Sequence, residues 1–170
     1  RLTLKFEEVH IVHRLDMATS GIIVFARNKE SLRHLQQQFQ HRQTEKSYQA
    51  IVAGKLTPNE GAINLPMRCD WPNRPKQMVC CEFGKKSLTR WRVMEHCNGN
   101  TRVELIPITG RSHQLRIHCD ALGHPILGDN LYGTTESQAA SQHLCLHAQS
   151  LNITHPVSLE RLTFESPVPF

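Results

Sequence analysis

The residues best suited to chemistry crowd into one short stretch. His13 to Gly21 reads H-R-L-D-M-A-T-S-G and lies between two apolar runs. A hairpin needs only its Ser20–Gly21 end; the stretch also carries a base (His13), a cation (Arg14) and a carboxylate (Asp16). The plain reading of Asp16 is a turn-former, bonding with Thr19 to nearby backbone amides. The functional reading is an acid on a loop between buried strands, placed to line a cleft.

Two further clusters could join it. In T-G-R-S-H-Q-L-R-I-H, Thr109 to His118, Arg111 follows Gly110 where a strand should give way to a helix. A guanidinium there can reach a carboxylate through two parallel hydrogen bonds, or form a surface ion pair worth little. Arg116 and His118 lie in the same helix and could face a phosphate chain. Tyr48, within E-K-S-Y-Q-A-I-V, is either a strand core residue with a locally bonded hydroxyl or a pocket wall. Glycoside hydrolysis wants two carboxylates flanking one bond, and no second acid is placed to pair with Asp16.

The elements that must position these groups follow from periodicity. Val9–Val12 and Gly21–Ala26 read as strands, the second buried on both faces. Asn28 caps a helix whose Leu32, Leu35 and Phe39 face inward, with Arg33, His34, Gln37 and Gln38 opposite. Lys46–Ala53 is a strand with Tyr48, Ala50 and Val52 on one face. Thr57–Gly61 reads as a turn, and Asn64–Pro75, with three prolines, as an irregular loop. Strands follow at Leu88–Met94 and Arg102–Ile108. A short helix comes next, with Leu115, Cys119 and Leu122 inward and Gly123 as its stop. Thr134–Gln142 is loop or loose helix; His143–Ile153 and Arg161–Glu165 close the chain as strands. Many strands and few short helices indicate an α+β domain on a mixed, largely antiparallel sheet.

Composition bounds the partners. The 170 residues suit one domain, and 20 Lys+Arg against 15 Asp+Glu leave a net charge of +5 that suits a polyanion. Aromatics at 6% are too few for stacking many single-stranded bases. No apolar run approaches the roughly 20 residues of a membrane span. The six cysteines form no C-x-x-C pair and read as reduced thiols of a cytoplasmic protein. His113 and His118, five apart, make a poor ligand pair, so no metal is expected.

Together the motifs resemble the RluA family of pseudouridine synthases. The matching stretches, in family order, are H-R-L-D-M-A-T-S-G, E-K-S-Y-Q-A-I-V-A-G, I-T-G-R-S-H-Q-L-R-I-H and L-G-H-P-I-L-G-D-x-L-Y-G, with L-H-A-Q-S-L-N-I-T-H-P closing. The resemblance implies the pseudouridine synthase fold and an isomerase that cleaves the C1′–N1 bond of a uridine in RNA and rejoins the base through C5. It implies no cofactor, since substrate and product are isomers. It assigns the nucleophile to Asp16, the cation that keeps it ionised to Arg111, the stacking ring to Tyr48 and a pocket wall to Leu146. Arg14 would enter the stack vacated by the flipped base.

Expected RNA contacts are His13, Arg14, Arg116, His118, Arg74 and Lys76, with phosphate contacts also from Arg33, Arg42 and Arg68. The stretch D-W-P-N-R-P-K-Q, Asp70 to Gln77, resembles members acting on both 23S ribosomal RNA and the transfer RNA anticodon stem-loop. The partner is then structured RNA, without membrane or metal, and a monomer suffices. Residues 1–170 read as a single catalytic domain lacking part of the upstream segment that family members carry. The competing reading is a silent RNA-binding or RNA-chaperone module on the same fold. Retention of Asp16, Tyr48 and Arg111 speaks against it.

Overall fold

A computed structural model describes residues 6–170. Strands β1 (His10–Ile11), β2 (Ser20–Gly21) and β3 (Phe25–Ala26) open the chain, followed by α1 (Lys29–Gln40) and β4 (Glu45–Val52). Next come β5 (Glu60–Asn64), β6 (Met67–Cys69), β7 (Gln77–Val79), β8 (Leu88–Cys97) and β9 (Asn100–Pro107). Helices α2 (Gln114–Ala121) and α3 (Thr135–Ala139) precede β10 (Leu146–Thr154) and β11 (Arg161–Glu165). The central sheet runs β11-β10-β4-β9-β8-β5, and β2 joins β10 as its parallel neighbour. The other pairings in that sheet are antiparallel. The expected α+β architecture is therefore present, and residues 1–5 of the expected domain lie outside the described residues.

Register decides which side chains meet. Ala50 pairs with Val103 and Leu146, and Tyr48 with Leu105 and Ala148, so these residues share one face of the sheet. On that face α2 packs Leu115 and Cys119 against Ala50, Val103, Leu105 and Leu146. Lys46 pairs with Leu151, which packs with Leu35 of α1. Both helices thus cover the same face, with Lys46 and Tyr48 between them. The opposite face carries the ion pairs Arg92–Glu104 and Arg102–Glu95 and meets water.

Helix α1 begins where Asn28 Oδ1 accepts from the Ser31 amide at 2.8 Å. Leu35 is buried on its inner face, a burial that stabilises by roughly 1.5–3 kcal/mol. Gln38, expected to face solvent, is buried instead. Its side-chain amide donates to the Thr154 carbonyl and its oxygen accepts from the Thr154 amide, both at 2.8 Å. This pairing ties α1 to the end of β10.

Four other expectations change. Gly21–Ala26 is two short strands in different sheets, with Gly21 and Ile23 exposed, because the chain bends at Gly21. Gly21 has φ +111°, and a Cβ there would stand 2.3 Å from the Ala148 carbonyl oxygen, so only glycine lets β2 lie against β10. Glu60 and Gly61, expected in a turn, begin β5. The proline-rich loop contains β6, which pairs with β7 around the Asp70–Lys76 turn; alternation over three residues is too short to register as a strand. In α2, Leu122 was expected inside and is 36% exposed.

Candidate active site

The first motif is a loop clamped at its base. Ser20 Oγ bonds His147 Nδ1 at 2.8 Å and the Ile22 amide donates to the Ala148 carbonyl at 3.0 Å, fixing the exit to β10. At the tip, the Thr19 amide donates to the Asp16 carbonyl at 2.9 Å. Met17 is fully exposed there, and Ala18 and Arg14 are exposed as well. Asp16 is half-buried and turned into a cavity of about 660 Å³ lying between α1 and α2. The tip projects outward while the acid faces inward.

His13, expected as an RNA contact, lines the cavity as an uncharged ring. Its Nε2 accepts from the Val24 amide at 3.0 Å, and its ring stacks on Phe39 with centroids 4.6 Å apart. Burial, aided by the Lys46 charge, lowers its pKa to about 4. The ring is a neutral brace across the loop. Because the folded pKa lies below the unfolded value of about 6.5, unfolding takes up a proton in the window between them. This contribution to stability is complete above pH 6.5 and declines as pH falls towards 4. Urea unfolding should show this as a slope of up to ~1.4 kcal/mol per pH unit from His13. His13→Gln, which keeps an acceptor for Val24, should reduce the slope by that amount; an unchanged slope contradicts the assignment.

Arg111 is carried on a separately stapled loop. The buried Gln114 side chain accepts from Thr109 Oγ1 at 2.7 Å and from the Arg111 amide at 3.1 Å, through one oxygen. Its nitrogen donates to the Leu88 carbonyl and Thr89 Oγ1, both at 3.0 Å. Gln114 thus fixes the chain from Thr109 to Arg111 against β8. The Arg111 side chain is exposed and lines the same cavity as Asp16, with Nε 3.4 Å from the Lys86 carbonyl. None of the ion pairs among the described residues includes Asp16 or Arg111. The two are brought to one cavity without being joined.

Tyr48 lines the cavity wall from β4, beside Leu146 and Ala148 of β10. Burial, and then the Asp16 charge, push its phenol up to about 12. The ring therefore stays protonated and within the field of the carboxylate. Leu146, 2% exposed, closes the floor. Asp16, Tyr48, Arg111 and Leu146 come together as expected.

Arg116 and His118 do not join them. Arg116 is 3% exposed, with Nε donating to Asp129 Oδ2 at 2.7 Å and a second bond from Nη2 to Oδ1. Burial opposes its charge, but the hydrogen bonds and charge of Asp129 raise its pKa overall. His118 is fully buried between Thr89 Oγ1, at 2.9 Å, and the Leu65 carbonyl, at 3.1 Å. Burial lowers its pKa. Neither side chain has surface to offer a phosphate, so both expected RNA contacts are internal fasteners.

The basic turn is exposed. The Arg74 guanidinium lies 3.6 Å from the Trp71 ring centroid, and Trp71 is 67% exposed. Lys76 is half-buried at the base of the same turn, while Arg33 and Arg68 are exposed on α1 and β6. The hairpin is joined to the site by Tyr132. Its hydroxyl accepts from the Gln77 amide at 2.8 Å and bonds His113 Nδ1 at 2.6 Å. His113, at φ +55°, opens α2 two residues after Arg111. Residue spacing gave no sign of Gln114, Tyr132 or Asp129 as supports. Lys46, two residues before Tyr48, also lines the cavity and was missed, although the alternation of β4 places it on that face.

Among the described residues, no three His, Cys, Asp or Glu side chains gather as a metal site, and no helix is long and apolar enough to cross a membrane. Comparison with known proteins places this geometry. Residues 1–121 match the family model described as RNA pseudouridylate synthase. The whole chain is 52% identical to the dual-specificity RNA pseudouridine synthase RluA of Escherichia coli (strain K12), covering 78% of that protein. It is 51% identical to the RluA of Haemophilus influenzae, again over 78% of the relative. Among solved structures, human RNA pseudouridylate synthase domain containing 1 superposes with a TM-score of 0.87 at 32% identity, over 99% of this chain and 73% of that one. A sheet with two helices on one face, a cleft between them, and this breadth of sequence identity have one conclusion: the chain belongs to the RNA pseudouridylate synthase family and is an isomerase that converts uridine in RNA to pseudouridine.

Proposed function

We propose that this isomerase acts on uridines in stem-loops of both ribosomal and transfer RNA, including the anticodon stem-loop, with Asp16 as nucleophile. The observation that carries the reading is the convergence of Asp16, Tyr48 and Arg111 on one cavity from three separate segments. The dual substrate rests on the likeness to relatives named as dual-specificity enzymes. The exposed Trp71–Arg74 turn and Lys76 supply a stacking and charged surface beside the cleft. The reaction takes place in the cytoplasm, by one chain, without metal or cofactor.

The exposed tip carrying Arg14 enters the stem as the target nucleotide swings out, and the planar guanidinium fills the gap. The uracil enters the cavity against the Tyr48 ring, with Leu146 beneath it. The Asp16 carboxylate assists departure of the base from C1′, and the ring turns and rejoins through C5. Arg111, which has no carboxylate partner among the described residues, pairs with Asp16 when RNA displaces water. The C5 proton must then leave: the Tyr48 hydroxyl accepts it as it passes its own proton to water, and N1, no longer bonded to carbon, takes up a proton in exchange.

The test uses stem-loop RNAs carrying tritium at uridine C5. The chain should release tritium from an anticodon stem-loop and from a ribosomal RNA hairpin. Carbodiimide treatment and primer extension should then map one pseudouridine in each. Release from only one RNA class overturns dual specificity; cleavage to free uracil overturns the isomerase mechanism.

A further inference from the structure

Lys46 is a half-buried cation that the reaction as described does not use. It lies on the cavity face of β4, two residues before Tyr48, and none of the ion pairs among the described residues includes it. Its Nζ is 5.9 Å from the Phe39 ring centroid, and a Cβ on Gly110 would stand 3.3 Å from that nitrogen. Gly110 therefore leaves room for the ammonium, and Phe39 shields its other side. Burial lowers the Lys46 pKa, as expected for an ammonium taken from water without a counter-charge. A lysine with no role in the cleft would extend its four-carbon stem to bulk solvent. This one ends inside the cavity instead.

The cavity, at about 660 Å³, is also larger than a base requires. Asp16 and Arg111 line it together with Arg42 and Thr44, which follow the C-terminus of α1. Arg42, exposed and in the left-handed conformation at φ +57°, adds a positive charge to a lining that also holds Arg14 and Arg111. His13, neutral, offers no competing charge. Among the described residues no carboxylate pairs with Lys46, which leaves the ammonium available to a group that comes with the substrate.

We propose that Lys46, supported by Arg42, forms a phosphate-binding subsite of the cleft, taking a phosphodiester that flanks the flipped uridine. This rests on the RNA-isomerase reading and extends it. Base flipping swings the nucleotide's own backbone towards the cavity, so a flanking phosphate follows the base inward. Its charge gives Lys46 a counter-charge, and the contact is worth more than a surface ion pair because the lysine is half-buried. Held at Lys46, the phosphate also limits how far the sugar can move relative to Asp16.

The experiment is a charge-deletion cycle read by binding. The target stem-loop is prepared with each phosphate around the uridine replaced in turn by a methylphosphonate, and Kd is measured by fluorescence anisotropy for the parent chain and Lys46→Met. Methionine keeps the length and removes the unpaired charge, so the variant should unfold at the same temperature or higher. Lys46→Met should bind the natural RNA at least tenfold more weakly. Its slope of log K against log salt should be shallower by roughly 0.7–0.9, as for one lost phosphate contact. One methylphosphonate flanking the uridine should weaken the parent chain by a similar factor and leave Lys46→Met unaffected. If every methylphosphonate weakens both proteins equally, or the salt slope is unchanged, the subsite does not exist. Failure of tritium release by the parent chain would instead overturn the isomerase reading, and the binding cycle decides Lys46 independently of it.

Discussion

Asp16→Asn binds stem-loop RNA as tightly as the parent chain and releases tritium from uridine C5 at least ~10⁴-fold more slowly. The carboxamide fills the same volume, and the bond that shapes the tip, from the Thr19 amide to the Asp16 carbonyl, is made by the main chain. The loop also keeps its clamp to β10 through Ser20 and His147. What is lost is the negative oxygen, and with it both nucleophilicity and the charge that Arg111 would pair with. Single-turnover rates with enzyme in excess separate this from weaker binding. A rate within tenfold of the parent would remove Asp16 from the chemistry and leave the RNA-binding module as the better description of this loop.

Asp129→Ala should lower the free energy of unfolding by about 3–5 kcal/mol, the largest stability effect expected from a single substitution here. Arg116 and Asp129 are 4% and 1% exposed in their side chains, so the variant leaves a guanidinium in the core without a counter-charge. Asp129 Oδ1 also accepts from the Leu131 and Tyr132 amides, at 2.9 and 3.1 Å, and both donors lose their acceptor. The double variant Arg116→Met with Asp129→Leu should recover only part of the loss, because the two amides stay unsatisfied. Urea midpoints at constant m-value measure both. A loss below ~1 kcal/mol would mean that water reaches the pair, and would reopen Arg116 as a contact for RNA. The effect should reach the site as well, because the Asp129 turn presents the Tyr132 hydroxyl that holds His113 at the start of α2.

These two residues mark how unevenly the molecule can be read without its fold. Asp16 stands in a stretch whose residue types are too many for a turn, which marked it as a candidate, and the family resemblance supplied the role proposed for it. Asp129 sits in G-D-N-L-Y-G, where nothing in the spacing announces a partner thirteen residues earlier on a helix. Helix α1 was legible because the inward residues Leu32, Leu35 and Phe39 repeat at the helical period and Asn28 begins it. Gln38 was not, since its burial depends on finding both polar groups of Thr154 at the end of β10. The same reason explains Arg116 and His118. A basic side chain looks like an RNA contact until the elements around it close.

The amino-acid sequence by itself determined the chemical inventory of the cleft, the mostly antiparallel α+β class, and the strands and helices with a clear period, because these depend on residue type and neighbours in the chain. Tertiary structure alone decided that Gly21 breaks a run into two strands against the Ala148 backbone, and that β6 and β7 pair across a proline-rich turn. It also decided that Lys46 ends in the cavity without a counter-charge while Arg116 finds one in the core. Whether a charge is free or paired depends on which distant segments pack beside it, and that information exists only once the chain has folded.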